Sequence, residues 1–184
     1  MKKFLLCLLL LTLSTPSPAG ISLVGAMNLN RAAGTFSSSG LAVSWGNTTT
    51  FGFGALFSGD SNPVVNLEAG LLYMPRRYDE GFVLRELKTL EVPVMLRFGP
   101  VPFVTFAVGG YFSRVIDSQG NDTVFDSNDY GLGGSIAVRI PIVPMVGAII
   151  DGRYLHGLAN LDKRVLHQLN RRDFQILAGI DFTL

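Results

Sequence analysis

After residue 19, apolar and polar residues alternate along most of the chain in eight separate blocks. The last block shows the pattern most plainly. Phe174, Ile176, Ala178, Ile180, Phe182 and Leu184 share one parity, and Gln175, Gly179, Asp181 and Thr183 share the other. Successive side chains of a strand point to opposite faces, so this block predicts a strand with one apolar and one polar face. Val104, Phe106, Val108, Gly110 and Phe112 stand in the same relation to Thr105, Ala107, Gly109, Tyr111 and Ser113. So do Leu90, Val92, Val94, Leu96 and Phe98 to Thr89, Glu91, Pro93, Met95 and Arg97, and Phe51, Phe53, Ala55 and Phe57 to Gly52, Gly54 and Leu56. The predicted strands cover residues 21–30, 50–58, 64–74, 87–98, 102–114, 130–140, 144–158 and 173–184.

The connections alternate in length. Residues 59–63, 99–101 and 141–143 form short turns rich in Gly and Pro, whereas 31–49, 75–86, 115–129 and 159–172 are long. Residues 40–46 alternate again and extend the first hairpin. Trp45 and Phe51 stand near that loop as candidate interface anchors. Mean hydropathy is high, at +0.36, yet no stretch after residue 19 reaches the ~20 apolar residues of a membrane-spanning helix. The longest nearly apolar run, 101–112, contains Thr105 and several small residues. Hydrocarbon requires every backbone group to be bonded internally, which leaves only helices and closed barrels. The pattern therefore predicts an eight-stranded, antiparallel, up-and-down transmembrane β-barrel, with short turns on the periplasmic side and long loops outside.

The N-terminus fits an exported chain. Lys2 and Lys3 precede an apolar run, Phe4 to Leu13, followed by Ser14-Thr15-Pro16-Ser17-Pro18-Ala19. This is the layout of a secretory signal peptide, residues 1–19, with the barrel domain at 20–184. Cleavage removes Cys7, the only cysteine, so stability must come from a core or a closed sheet rather than a disulfide. It also removes Lys2 and Lys3, leaving 13 basic residues against 14 acidic. That balance offers nothing to a nucleic acid.

Parity places Glu68, Glu91, Asp151 and Asp181 inside the barrel with Arg97, Arg139 and Arg153. An unpaired buried charge is very costly, so these seven are expected to pair. A lipid-facing arginine near the midplane would cost about 2–4 kcal/mol. Eight strands enclose a space that side chains just fill, which favours a packed polar plug; a narrow path for ions is the alternative. Arg76, Arg77, Lys163, Arg164, Arg171 and Arg172 fall in or beside the long loops. They are candidate contacts to lipopolysaccharide phosphates, which suit a guanidinium fork, and the plain alternative is a solvated loop. Asp117, Asp122, Asp126 and Asp129 make the third long loop acidic, without the register of a calcium loop. His156, His167, Ser113 and Ser135 stand in no nucleophile motif, and His156 reads as a rim residue. No catalytic residue, metal or cofactor is expected.

Three stretches, Leu67-Glu68-Ala69-Gly70-Leu71-Leu72-Tyr73, Leu90-Glu91-Val92-Pro93 and Arg153-Tyr154-Leu155-His156-Gly157-Leu158, resemble strands of the small outer-membrane β-barrel family, also called the porin family or outer membrane protein beta-barrel domain. Gly179, Phe182 and Leu184 resemble the C-terminal signal that presents such barrels to their assembly machinery, although that signal usually ends in an aromatic residue. The resemblance implies location in the cell outer membrane; contact with its lipid including lipopolysaccharide, and a monomer, are expected beside it. It implies no defined activity. A proline inside a strand lacks a ladder donor, so a bulge is expected at Pro93. The expected role is structural, an envelope barrel that displays its loops. A porin-like channel for ions or very small solutes is the main alternative, and a lipid-acting enzyme or carrier is the third.

Overall fold

The computed structural model describes residues 19–36, 42–59, 65–79, 84–101, 103–119, 127–160 and 167–183. Eight strands follow in chain order: β1 (Gly20–Phe36), β2 (Ala42–Ser58), β3 (Val65–Asp79), β4 (Leu84–Val101), β5 (Val104–Gln119), β6 (Asn128–Val143), β7 (Val146–Gly157) and β8 (His167–Thr183). Each pairs antiparallel with its chain neighbours, and β1 also pairs with β8, from Gly20↔Thr183 to Phe36↔His167. The barrel is closed and has no sheet edge. The expected signal peptide and Leu184 lie outside the described residues.

The strands outrun the alternating blocks at the outer end, where β1 reaches Phe36, β3 reaches Asp79 and β8 begins at His167. Alternation is demanded only where one face meets lipid. Above that level both faces accept polar side chains, so the pattern fades while the ladder continues. Pro75 does not end β3; it pairs with Lys88, and its carbonyl accepts a bond from the Thr50 hydroxyl at 2.5 Å.

Two short turns fall later than the sequence suggests. Val101 pairs with Val104 and Val143 with Val146, so the tips are residues 102–103 and 144–145. Pro144 sits first in the second turn, where a locked φ near −65° is favourable. Each hairpin shifts register just before its tip, between Phe98 and Val101 and between Pro141 and Val143. Proline disrupts a ladder least at such bulges.

The bulge expected at Pro93 is absent. The β3–β4 register is the same on both sides, with Ala69 opposite Val94 and Leu72 opposite Glu91. Gly70 leaves room for the proline ring instead. A Cβ there would lie 3.2 Å from Pro93 Cγ and 2.6 Å from Leu56 Cδ2.

Outside, two aromatic belts bound an apolar band. Phe51, Phe53, Tyr73, Phe112, Tyr130, Tyr154 and Phe174 lie toward the loop end, and Phe57, Phe98, Phe106 and Phe182 toward the turn end. Phe53 and Tyr73 rings are 5.4 Å apart. The side chain of Trp45 lies outside the described residues. From Phe174 to Phe182 is eight steps at about 3.3 Å, foreshortened by a tilt of about 40°, giving roughly 20 Å, close to the ~25 Å band of membrane barrels.

Closure at the β1–β8 seam depends on Gly179, opposite Val24. A Cβ at Gly179 would fall 1.9 Å from the Leu23 carbonyl oxygen, a backbone atom that cannot swing away. Gly179→Val is therefore expected to abolish the heat-modifiable gel band of the folded barrel. Gly25→Ala on the same seam, whose Cβ has 3.8 Å of room, is expected to keep it. A compact band from Gly179→Val would contradict this seam geometry.

Candidate functional site: a layered lumen

The inward rows divide the lumen into three layers. The layer nearest the short turns is charged. Arg97 grips Glu68 with two bonds, Nε to Oε2 at 2.7 Å and Nη2 to Oε1 at 2.9 Å, and reaches Asp151 at 2.5 Å. Arg153 donates to Glu68 at 2.7 Å and to Asp151 at 2.8 Å and 3.1 Å. All four side chains are at most 1% exposed. Arg139 completes the layer, 3.4 Å from Glu68 and 3.9 Å from Asp181. Asp181 also accepts from the Ser22 hydroxyl at 2.5 Å. Three guanidiniums face three carboxylates, so the layer is neutral.

Above it lies an apolar septum. Val24, Ala26, Leu56, Leu72, Met74 and Leu177 pack in one buried cluster, which reaches Ile149 beside the inner layer, and Met95, Ala107, Tyr111 and Leu155 pack in a second. Leu72 and Met74 on β3, Met95 on β4 and Leu177 on β8 occupy the inward parity between charged positions of their strands, as Met95 does between Glu91 and Arg97.

The third layer, toward the loops, is charged again. Arg171 is fully buried and donates to Asp173 at 2.6 Å, Glu91 at 2.7 Å and Asp129 at 3.3 Å. Its guanidinium also stacks 4.5 Å from the Tyr111 ring centroid, a favourable cation–π contact. Arg76 donates to Glu91 at 2.7 Å and flanks Asp129 and Asp173 at 3.8 Å and 3.7 Å. Here two guanidiniums meet three carboxylates, and neutral donors share the excess charge. Tyr111 donates to Asp129 at 3.0 Å, Gln175 to Glu91 at 3.1 Å, and Asn28 to Asp173 at 3.2 Å. The Arg31 backbone N–H donates to the other oxygen of Asp173 at 3.2 Å.

All seven residues placed in the lumen from the sequence do lie there, but they form two networks. Glu91 belongs to the outer one, and the other six to the inner one. Two of the candidate lipopolysaccharide contacts need correction. Arg76 and Arg171 point inward with 2% and 0% exposure, so neither reaches an external phosphate. Asp129 is likewise part of the lumen, not of a solvated acidic loop. Extending the inward parity from Glu68 and Met74 to Arg76, and from Gln175 back to Asp173 and Arg171, would have found these groups.

Arg77 and Arg172 do face outward; Lys163 and Arg164 lie outside the described residues. Arg77 is bonded to Glu86 at 2.9 Å. Arg172 pairs in the ladder with half-buried His156. On the adjoining strand Ala32 pairs with Arg171, which brings exposed Arg31 beside Arg172. The three basic groups form a row just above Tyr154 and Phe174. Further along the outer surface Lys88 and Asp117 lie 2.5 Å apart. This hydrogen-bonded pairing raises the lysine pKa and lowers the aspartate's.

No family model matches the sequence, and no curated protein matches it. Solved structures do. OprG from Pseudomonas aeruginosa superposes with a TM-score of 0.63 at 11% identity, over 92% of this chain and 97% of that one. Neisserial surface protein A gives 0.54 at 16% identity, over 90% and 99%. Ail, the attachment invasion locus protein of Yersinia pestis, gives 0.50 at 13% identity, over 90% and 99%. The chain has the fold of the small eight-stranded outer-membrane β-barrels.

Breaking a buried ion pair costs about 3–5 kcal/mol, because the partner is left charged and unpaired. An exposed pair is worth about 0–1 kcal/mol. Arg97→Met should therefore lower the urea midpoint of the refolded barrel far more than Arg77→Met. Equal midpoints for the two variants would contradict the inner network.

Proposed function

We propose that the protein is an integral outer-membrane β-barrel with a closed lumen, serving the envelope as a structural element that displays its loop-end surface. The observation that carries this reading is the sequence of layers inside. An ion would have to part the Glu68–Arg97–Asp151–Arg153 network, cross a septum of Leu, Met, Val and Ile side chains, and then part the Arg171–Glu91–Asp173 network. Each step opposes passage for a different reason. Parting either network leaves unpaired charge in a low dielectric, and the septum offers an ion no polar partner. The apolar outer band between two aromatic belts supports placement in a bilayer.

Contact with lipopolysaccharide belongs to the same reading, with Arg77 and Arg172 kept from the loop candidates and Arg31 and His156 joining them. Arg172, Arg31 and His156 stand at headgroup height, and Arg77 on another part of the rim. Recognition of Gly179, Phe182 and Leu184 by an assembly machinery, and a monomeric state, complete the proposal.

Refolded protein in planar bilayers is expected to give no discrete current steps. Steps that change size in Arg97 or Arg153 variants would overturn the closed-lumen reading in favour of a narrow channel. For the lipid contact, lipopolysaccharide should raise the melting temperature of the native barrel more than that of the Arg31→Gln/Arg172→Gln variant. An equal rise in both would remove this row from the contact.

A further inference from the structure

The short-turn end of the barrel is uneven. The β2–β3 connection has the polar sequence Gly59-Asp60-Ser61-Asn62-Pro63. The β4–β5 and β6–β7 connections are apolar instead, and no charged residue occurs from Phe98 to Ser113 or from Ile140 to Ile150. At the tips, Phe103 and Met145 are 58% and 64% exposed, and Ile142 and Val143 beside them are 65% and 55% exposed.

Both tips make the same conformational exception. Phe103 has φ of 71° and Met145 φ of 69°, and no other described residue apart from glycine has a positive φ. A Pro-first turn of this kind ordinarily carries Gly or Asn at its second position, because a Cβ is disfavoured there. Here two unrelated turns each place a large apolar side chain at that position. Neither tip is a loose loop. The Phe103 carbonyl accepts from the Arg139 N–H at 2.8 Å and the Met145 carbonyl from the Thr183 N–H at 2.9 Å, pinning the first tip to β6 and the second to β8. In water this arrangement would be strained and would expose apolar surface as well. In lipid the side chains are buried and the strain is offset.

We propose that these two turns are immersed in the phospholipid of the periplasmic leaflet, so that the barrel stands tilted with its β4–β7 side deeper than its β1–β3 side. The surface involved is continuous with the lipid-facing band. On β5 it runs from Phe112 through Val108 and Phe106 to Phe103, and on β6 from Leu132 through Ile136 and Ile140 to Ile142 and Met145, with no polar break. On β2 the outer apolar row ends at Phe57, and the next position of the same parity is exposed Gly59, which opens the polar turn. The inference rests on the outer-membrane reading and adds to it a direction and depth of insertion.

The test uses the chain's single tryptophan, Trp45. In a Trp45→Phe background, tryptophan is placed singly at Phe103, at Met145, at Ser61 in the polar turn and at Phe106 in the band. Each variant is refolded into phosphatidylcholine vesicles and checked for the heat-modifiable band. Fluorescence is then quenched either by lipid brominated at shallow acyl carbons or by aqueous iodide. The expected result is strong bromolipid and weak iodide quenching at 103, 145 and 106, with the reverse at 61. If 103 and 145 behave like 61 while 106 is quenched by bromolipid, the tips lie in water and the proposal fails alone. If 103 and 145 are quenched by neither agent, a protein surface covers them and the proposal also fails. If 106 is not quenched by bromolipid, the membrane reading fails and the proposal with it.

Discussion

A guanidinium taken out of water must have a carboxylate against it, and five arginines in this lumen meet that condition. They do so from strands far apart in sequence. Glu68 on β3, Arg97 on β4 and Asp151 and Arg153 on β7 come together only when the sheet has curled and closed. The inner network therefore acts as a long-range check on closure. A barrel of different circumference or shear would separate these groups and leave each one charged and alone. The outer network makes the same demand of β3, β4, β6 and β8.

Glycine supplies the room. Gly70 faces Pro93, and Gly179 lets β8 approach Leu23. The long inward side chains lie where the wall is built of small ones, so a narrow barrel can hold three Arg in one layer and two in another. Between the layers, Leu, Met, Val and Ile side chains fill the remaining width. The lumen is thus a small hydrophobic core with an ion-pair layer on each side. This arrangement differs from a single polar plug in having two charged networks insulated from one another.

The strand count, the closed topology and the inner network were legible in the sequence, because lipid on one face enforces a two-residue period. Arg97 and Arg153 could be assigned inward from parity alone. The outer network was not recovered. Its members Arg76 and Arg171 stand where lipid no longer imposes alternation, and Pro75 reads as a turn although the strand runs through it. Charge near a loop then looks like solvated charge. Asp129 was misread for the same reason, although it is only two residues before Gly131 on the inward parity of β6. The bulge expected at Pro93 failed on a different point. Proline removes a donor but does not by itself force an extra residue into the strand.

In the proposed closed lumen, the septum keeps water from passing between the two charged layers. The only cysteine in the sequence is Cys7, ahead of β1, so single cysteines can be placed in the barrel and challenged with a small charged thiol reagent. Leu177→Cys and Leu155→Cys, both in the septum, should stay unmodified in the folded barrel and react fully once it is unfolded. Modification of folded Leu177→Cys as fast as a cysteine on the exposed rim at Arg172 would mean a wetted lumen and would contradict the account.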